Sequence, residues 1–181
     1  MTQPIMFWQG YAKASESNAF LSNFYHKPFM APDRFGKNRE FQFSEQYFMY
    51  LKALAFEDNG TADHIANHPE LKPQDYKRLG RQLKHYDIYG PNWEDTKVKT
   101  MTKAVFYKFQ DPQLRQKLLA TGDAQLIEAS PYDRYWGAGL NAKDILAQNK
   151  FATTHYEVPG KNMLGAVLVG VRTNLQQKQP N

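Results

Sequence analysis

Residues 127–139 combine side-chain types that suit the binding and cleavage of a sugar–base compound. The stretch contains two carboxylates, Glu128 and Asp133, together with an arginine, two tyrosines, a tryptophan and two glycines. Carboxylates transfer protons and stabilise cations, aromatic rings stack on flat heterocycles, and glycines allow the backbone to approach a ligand closely. The stretch therefore predicts the wall of a pocket for a base linked to a sugar.

Each of these residues also has an ordinary structural explanation. Glu128 could lie on an exposed strand face, Asp133 could form a turn through its own side chain, and Trp136 could belong to the core. The pair Gly137-x-Gly139 lacks the pattern of a phosphate-binding loop. The clustering of the three candidates, rather than any one of them, favours a joint site.

A second candidate pair, Glu45 and Lys52, lies on a predicted helix over residues 45–56. Residues seven apart differ by about 20° around a helix, so both side chains share a face. A buried lysine has a lowered pKa and can attack an aldehyde-like carbon, and a glutamate in the same pocket can transfer a proton. A solvated helix face is the alternative explanation of this spacing.

The remaining pattern predicts the elements that position these residues. Short strands are expected at 5–8, 20–25, 40–43 and 125–129, with a turn at 32–38. Helices are expected at 45–56, 61–67, 73–83, 93–109, 112–122, 141–149 and 163–175. The fold class is a predominantly helical α+β single domain with a small antiparallel sheet, which spans residues 1–175 and precedes a disordered polar tail at 176–181.

The composition excludes several classes of protein. The chain of 181 residues contains no cysteine, so disulfides and thiolate metal sites are excluded. The first residues lack a signal-peptide pattern and no apolar run reaches membrane-spanning length, so we expect a cytoplasmic protein without membrane contact. A net charge of +5 permits a phosphate-bearing ligand without requiring one. The histidines show no zinc-protease spacing, and we expect neither a metal site nor a cofactor.

Seven short motifs occur in one order along the chain, and together they resemble the NADAR family (NAD and ADP-ribose), also called YbiA-like. They are Leu21-Ser22-Asn23-Phe24; Ser44-Glu45-Gln46-Tyr47 with Lys52-Ala53; Leu79-Gly80-Arg81; Trp93 with Met101 and Lys108-Phe109; Ile127-Glu128-Ala129-Ser130; Asp133-x-x-Trp136-Gly137; and Asn162-x-Leu164-Gly165 with Arg172. The resemblance covers residues 7–175, which is nearly the whole chain.

The resemblance implies an N-glycosidase that hydrolyses the bond between ribose C1′ and a nitrogen. It implies two substrate classes: ADP-ribose linked to guanine in DNA or RNA, and the ribosylamino-pyrimidine phosphates of early riboflavin synthesis. We expect the first class, which implies a functional pairing with an ADP-ribosyltransferase toxin. By position, the resemblance assigns to the pocket the catalytic candidates Glu45, Lys52, Glu128 and Asp133 and the substrate-binding candidates Asn23, Arg81, Trp93, Trp136 and Gly137.

The chemistry of glycoside cleavage suggests a role for each catalytic candidate. Glu45 or Glu128 would act as the acid/base, and Asp133 would orient the sugar or stabilise its positive charge. Lys52 would form a Schiff base with the ring-opened ribose. Acidic groups from the early helix and the late loop, Glu45 and Asp133, are expected to meet at one anomeric carbon.

Aromatic contacts are the remaining expectation about the pocket. Trp93 and Trp136 would sandwich the base or the adenine, an expectation that weakens if either ring is buried in the core. Members of the family usually carry another tryptophan shortly before the glycine-x-asparagine at the last helix. Residues 157–162, which include Val158, contain none, so any stacking contact at that position would differ in this chain.

Two other functional classes remain open from the residues alone. The domain could be a non-catalytic binder of NAD-derived ligands, in which case it would bind them without turnover. It could also be a plain nucleic-acid-binding protein, whose affinity would depend steeply on salt. The modest net charge argues against the latter as the sole role.

Overall fold

The computed structural model describes residues 2–8 and 18–177 of the chain. Within these ranges the strands are β1 (Ile5–Phe7), β2 (Phe29–Pro32), β3 (Asn38–Phe41) and β4 (Leu126–Glu128), and a 3₁₀ turn spans Ala19–Leu21. The helices are α1 (Ser44–Ala55), α2 (Asn59–Asn67), α3 (Pro73–Arg81), α4 (Tyr86–Lys108), α5 (Pro112–Leu119), α6 (Ala142–Gln148) and α7 (Met163–Gln177). The predicted α+β, mostly helical class is confirmed. None of the described helices is both long and apolar enough to span a membrane.

The chain divides into two compact units. The central unit comprises Asn23–Asp111 and contains β2, β3 and α1–α4. The terminal unit comprises the chain up to Ser22 and from Pro112 onward, and contains β1, β4 and α5–α7. The proposed extent of a single domain over residues 1–175 stays a prediction.

A hairpin in the central unit confirms the small antiparallel sheet. Strands β2 and β3 pair in a register that places Phe29 opposite Phe41. The turn between them lies within the predicted range of 32–38. It is held by Asp33 Oδ1, which accepts the backbone N–H groups of Phe35 and Lys37 at 2.8 and 2.9 Å. The predicted turn is thus confirmed, and the return strand β3 starts and ends two residues before the predicted range of 40–43.

The strand predicted at residues 20–25 is wrong. In the terminal unit, the consecutive residues Ala19, Phe20 and Leu21 are all buried and form the 3₁₀ turn. A strand would send neighbouring side chains to opposite faces, whereas a helical turn can bury adjacent side chains on one side. The first strand of the hairpin is instead β2, which follows Pro28.

Helix α1 is enclosed by other parts of the central unit, and its first seven residues are buried. The ring of Tyr47 lies 4.6 Å from that of Phe41, and the Tyr47 hydroxyl donates to Pro32 O at 3.0 Å. Gln46 donates to Ile65 O of α2 at 2.9 Å. Because hairpin and helix contacts hold α1 on several sides, the backbone that carries Glu45 and Lys52 is fixed.

Helix α4 begins at Tyr86, earlier than the predicted start at Trp93. Pro91 lies inside the helix, although a proline lacks the N–H that continues a helical ladder. The predicted start at Trp93 came from Asn92, a residue type that is typical of an N-cap. Pro91 is exposed and belongs to the second turn, where the loss of one backbone hydrogen bond is tolerated. As a result, Tyr86 and Trp93 belong to one helix.

Strands β1 and β4 of the terminal unit form a parallel pair that the sequence did not indicate. The other edge of β4 is covered by a side chain: Asn162 Oδ1 accepts the N–H of Glu128 at 3.0 Å, and Asn162 Nδ2 donates to Leu126 O at 2.8 Å. Asn162 thus takes the place of a neighbouring strand. Helix α7 starts directly after it and packs against β4.

Helix α7 continues to Gln177. Its predicted end was residue 175, so the first two residues of the predicted polar tail are helical. Residues 178–181 of that tail lie outside the described residues.

Lys108 is the most deeply buried cation of the central unit, with 1% of its surface exposed. Its Nζ lies 5.7 Å from the ring centre of Tyr25 and 5.2 Å from that of Phe109. Burial disfavours the ammonium form and lowers the pKa of Lys108 to about 7. The folded protein therefore releases this proton far more readily than the unfolded chain does.

We expect the free energy of unfolding to rise between about pH 7 and pH 9. In this range the unfolded chain binds more protons at Lys108 than the folded chain, because burial depresses the folded pKa from 10.5. Lys108→Met keeps a similar shape without the charge and should remove most of the slope. Lys103→Met, at an exposed position of the same helix, should retain it. Urea unfolding at both pH values measures the slope, and an unchanged slope in Lys108→Met would contradict the assignment.

Candidate functional site

The amine of Lys52 lies in a chamber of the central unit, called here the Lys52 chamber. It is formed by the rings of Phe56, Tyr86 and Trp93 and the backbone of Gly80. Lys52 Nζ donates to Gly80 O at 2.8 Å. The three ring centres lie 5.4, 5.8 and 5.4 Å from Nζ, respectively. These contacts with the rings and with Gly80 O hold the amine at one position.

Burial lowers the pKa of Lys52, and it is the largest influence on that group. The positive charges of Arg81 and Lys97 act in the same direction, whereas the carboxylates Glu94 and Glu45 oppose it. A lysine with a lowered pKa has a larger neutral fraction near pH 7, and the neutral amine is the nucleophile. The direction of this pKa shift agrees with the sequence-based hypothesis for Lys52, which stays a prediction.

Glu45 is a buried carboxylate in the first turn of α1, on the same helix face as Lys52. It is near enough for its charge to raise the pKa of Lys52. The N–H of Glu45 donates to Asn23 O at 3.2 Å, which fixes the start of the helix. The predicted pair thus belongs to one electrostatic environment, in which the glutamate partly offsets the effect of burial on the lysine.

Trp93 occupies a different environment from the one that the sequence suggested. Only 4% of its surface is exposed, and its ring packs 5.4 Å from that of Phe48 and 6.3 Å from that of Phe56. This burial weakens the expectation that Trp93 stacks on a base, which stays a prediction. Its ring instead forms part of the wall beside the Lys52 amine.

Asn23 and Arg81 were expected to contact a ligand. Asn23 is buried and accepts from Ser44 Oγ at 3.0 Å through Oδ1, while its Nδ2 lies 3.1 Å from Met101 Sδ. These contacts tie the start of α1 to α4, which is a structural role. Arg81 is exposed at the end of α3, and its charge acts on Lys52, so it remains suited to an anionic ligand.

In the terminal unit, Asp133 organises the loop that carries most of the other candidates. Its Oδ1 accepts the N–H groups of Tyr135 and Trp136 at 2.9 and 2.8 Å. This is the turn-forming role that the sequence left open as an alternative. Gly139 N–H also donates to Asp133 O at 3.1 Å, which closes the loop.

The loop is joined to helix α7 through backbone hydrogen bonds. The N–H groups of Lys161, Asn162, Met163 and Leu164 donate to the carbonyls of Arg134, Gly137, Tyr135 and Trp136 at 2.8, 3.2, 3.0 and 3.0 Å, respectively. The first N–H groups of a helix have no partner within the helix. The loop supplies those partners, and the helix in turn fixes the shape of the loop.

Glu128, Trp136 and Gly137 border this loop. Glu128 ends β4 and is half-buried, and its carbonyl accepts from Ser130 and Ala138, both at 2.8 Å. Trp136 is half-buried and packs edge-on against Tyr135 with ring centres 5.0 Å apart. A Cβ at Gly137 would lie 3.0 Å from Asp133 O and 3.1 Å from Glu128 O. The absence of a Cβ at Gly137 therefore allows the loop backbone to pack closely.

An open groove of about 610 Å³ lies elsewhere in the terminal unit and borders Val158, Lys161 and Asn162. Val158 belongs to the segment where the motif resemblance led us to expect a tryptophan, and it packs against the core cluster that contains Ile127. None of the predicted site residues is part of the groove lining. The groove is thus distinct from the loop of Asp133.

The structure brings the candidates together in two sets. The central unit groups Glu45, Lys52, Arg81 and Trp93, and the terminal unit groups Glu128, Asp133, Trp136 and Gly137. The expected meeting of Glu45 with Asp133 stays a prediction. Sequence reasoning missed four contributors to the surroundings of Lys52, namely Phe56, Tyr86, Glu94 and Lys97. The spacing of Glu94 and Lys97 on one predicted helix was a usable signal for an ion pair.

Two substitutions of Asp133 separate its contribution to the stability of the loop from a contribution of its negative charge to catalysis. Asp133→Ala removes the acceptor of two backbone N–H groups and should lower the free energy of unfolding by about 1–3 kcal/mol. Asp133→Asn keeps an oxygen acceptor and should remain nearly as stable, yet lose turnover if the negative charge acts on the sugar. Thermal unfolding and glycosidase assays measure the two effects. Full turnover in Asp133→Asn would limit Asp133 to shaping the loop.

Comparisons with known proteins agree with the motif resemblance. The sequence profile of the NADAR domain matches residues 6–176. An N-glycosidase from Acanthamoeba polyphaga mimivirus is 37% identical over 142 residues, which are 76% of this chain and 76% of that protein. A riboflavin biosynthesis protein from Zea mays, PYRR, chloroplastic, is 30% identical over 160 residues, which are 86% of this chain and 23% of that protein.

The fold also has a solved counterpart. The NMR structure of the E. coli protein YbiA superposes with a TM-score of 0.71 at 26% identity, and the match covers 100% of this chain and 92% of that chain. Since the profile spans nearly all of the sequence and the fold agrees over its full length, the chain belongs to the NADAR domain family.

Proposed function

We propose that this protein is an N-glycosidase, a hydrolase that cleaves a bond between ribose C1′ and a nitrogen. The observation that carries the proposal is the Lys52 chamber, where burial lowers the pKa of an amine that three rings and Gly80 O hold in place. The mimivirus relative, named as an N-glycosidase, supports the same reaction class.

The proposed reaction proceeds through covalent attachment to Lys52. Ring-opened ribose carries C1′ as an imine to the base nitrogen, and the neutral Lys52 amine adds to C1′. One proton passes from the lysine nitrogen to the base nitrogen and gives an aminal at C1′. A second proton follows as the C1′–base bond breaks, so the base leaves as its neutral amine and a lysine Schiff base forms. Water then adds to C1′, which releases the sugar aldehyde and restores the amine. Glu45 is suited to move these protons because its charge acts on the same amine.

The terminal unit contributes carboxylates with related proposed roles. Cleavage builds positive charge on the sugar, and a nearby carboxylate stabilises that charge. We assign this role to Asp133, and we keep Glu128 as the second candidate for the acid/base. Paired carboxylates commonly divide these tasks in glycoside cleavage.

ADP-ribose linked to guanine in DNA or RNA is the substrate that we propose. Arg81 and Lys97 both act on Lys52 through their charge, and guanidinium and ammonium groups suit a diphosphate. Such a substrate would be the product of an ADP-ribosyltransferase toxin, so the protein would reverse the toxin's modification. The alternative substrate is a ribosylamino-pyrimidine phosphate, which is favoured by the name of the maize relative.

Chromatography after incubation with each substrate tests the proposal. An oligonucleotide carrying ADP-ribosylated guanosine should yield free ADP-ribose and unmodified guanine. Release of the pyrimidine from the riboflavin intermediates alone would select the alternative. Glu45→Gln serves as the matched variant, because the proposal predicts that it still binds substrate and turns it over more slowly. Binding without release from either substrate would instead identify a reader of NAD-derived ligands and overturn the proposal.

A further inference from the structure

Tyr86 forms the solvent-facing wall of the Lys52 chamber. The other two rings, Phe56 and Trp93, are 3% and 4% exposed, whereas Tyr86 is 48% exposed. The Tyr86 ring nevertheless lies 5.8 Å from Lys52 Nζ and 5.4 Å from the ring of Phe56. Any solvent or substrate that approaches along this side of the chamber therefore meets Tyr86 before it meets the amine.

A hydrogen bond and a glycine hold the Tyr86 ring in this position. The Tyr86 hydroxyl donates to Glu94 Oε1 at 2.6 Å, two helical turns along α4. Gly90 lies between them on the same face, and a Cβ there would stand 2.4 Å from the Tyr86 ring. The ring thus lies close to the backbone of Gly90, and its hydroxyl is hydrogen-bonded to Glu94.

Glu94 connects this wall to the charges around the amine. It forms an ion pair with Lys97 one turn later, and its hydrogen bond raises the pKa of Tyr86 to about 12, so the hydroxyl remains a donor at neutral pH. Among the carboxylates that oppose the effect of burial on the pKa of Lys52, Glu94 has the larger influence and Glu45 the smaller. The Glu94 carboxylate therefore holds the Tyr86 ring through a hydrogen bond, and its charge also attracts the ammonium form of Lys52.

We propose that Tyr86 and Glu94 are positioning residues for Lys52, with Tyr86 enclosing the amine and Glu94 holding the ring closed. The proposal rests on the proposed function and deepens it. It assigns to this pair the control of the neutral fraction of the Lys52 amine and of the position of that amine. The two members have opposite effects on the lysine. The ring removes solvent and favours the neutral amine, whereas the carboxylate charge favours the ammonium.

The opposite effects predict shifts of opposite sign in the pKa of Lys52. Tyr86→Ala admits water and should raise that pKa toward 10.5, its value without burial. Glu94→Gln keeps an oxygen acceptor for the Tyr86 hydroxyl but loses the charge, so it should lower the pKa of Lys52 further. Each shift should be about one pH unit. Both variants retain Glu45 and Arg81, which also act on Lys52. Glu94→Gln removes the ion pair of Glu94 with Lys97, whose charge lowers the pKa of Lys52 in the same direction as the loss of the carboxylate.

NMR titration of the full chain with ¹³C-labelled lysine measures the pKa of Lys52 directly, with the signal assigned through Lys52→Arg. Two substitutions serve as controls at exposed neighbouring positions of α4, Ile88→Ala for the ring and Asp95→Asn for the charge. Both should leave the pKa of Lys52 unchanged. If Tyr86→Ala fails to fold, Tyr86→Phe retains the ring without its anchor and should give a smaller shift in the same direction.

Activity provides the second measurement. The acidic limb of the pH profile of kcat should shift to higher pH in Tyr86→Ala and to lower pH in Glu94→Gln. Each shift should match the change in the pKa of Lys52 that the titration measures. A Lys52 pKa that is unchanged in folded Tyr86 and Glu94 variants would overturn the proposal. Because the titration needs no substrate, the expected shifts in a protein without glycosidase activity would refute the proposed function while the enclosing role of the pair remained.

Discussion

Replacing Lys52 with alanine should lower kcat by about 10³-fold, because the variant loses the group that forms the covalent intermediate. Lys52→Arg is expected to be almost as inactive, since a guanidinium keeps the positive charge but does not attack an aldehyde-like carbon. Lys84→Ala removes an exposed lysine of the same unit and should retain full activity. Initial rates of base release measure all three proteins after their folding has been checked by circular dichroism.

Borohydride reduction during turnover adds a direct measurement of the intermediate. The parent protein should gain the mass of the sugar portion at Lys52, whereas Lys52→Arg should gain none. Activity that survives in Lys52→Arg but not in Lys52→Ala would show that only the positive charge matters and would end the Schiff-base mechanism. An N-glycosidase that works through carboxylates alone would then remain.

The second large effect concerns stability and lies in helix α7. Gly165→Ala should lower the free energy of unfolding by about 1–3 kcal/mol, because the added Cβ cannot be accommodated without moving backbone. That atom would stand 2.0 Å from Leu126 O and 2.4 Å from the Asn162 side chain. For a chain of this size the melting temperature should fall by about 3–10 °C. The same change also disturbs Asn162, whose side chain covers the edge of β4.

Gly170→Ala is the matched control in the same helix. A Cβ at Gly170 would meet nothing within 4 Å, so the substitution should raise stability by about 0.5–1 kcal/mol through helix propensity. Thermal unfolding of both variants measures the difference in sign. If Gly165→Ala were as stable as Gly170→Ala, close packing between α7 and β4 would not contribute to the fold.

Local patterns were sufficient to predict the helices that carry the candidates. Helix α1 was predicted within one residue at each end, and the predicted start of α7 agrees with the structure, because Asn162 stands directly before an apolar stripe. The shared face of Glu45 and Lys52 also follows from helical geometry alone. The turn-forming alternative for Asp133 could be stated because such side chains bond to N–H groups two residues ahead.

The surroundings of Lys52 could not be predicted, because they depend on contacts between distant parts of the sequence. Gly80 on α3 and Tyr86 on α4 reach the amine only after the helices of the central unit pack together. The sequence did not indicate that Tyr86 belongs to this helix, because Asn92 resembles an N-cap and predicted a start at Trp93. The same packing buries the ring of Trp93, which the sequence could not distinguish from a ring exposed for stacking.

The four hydrogen bonds between the loop of Asp133 and the start of α7 imply that these segments open together in hydrogen exchange. The amides of residues 161–164 cannot exchange while the loop carbonyls hold them, so their protection reports on the loop as much as on the helix. A ligand that binds against this loop would find its backbone already ordered, and binding would not incur the entropic cost of closing it.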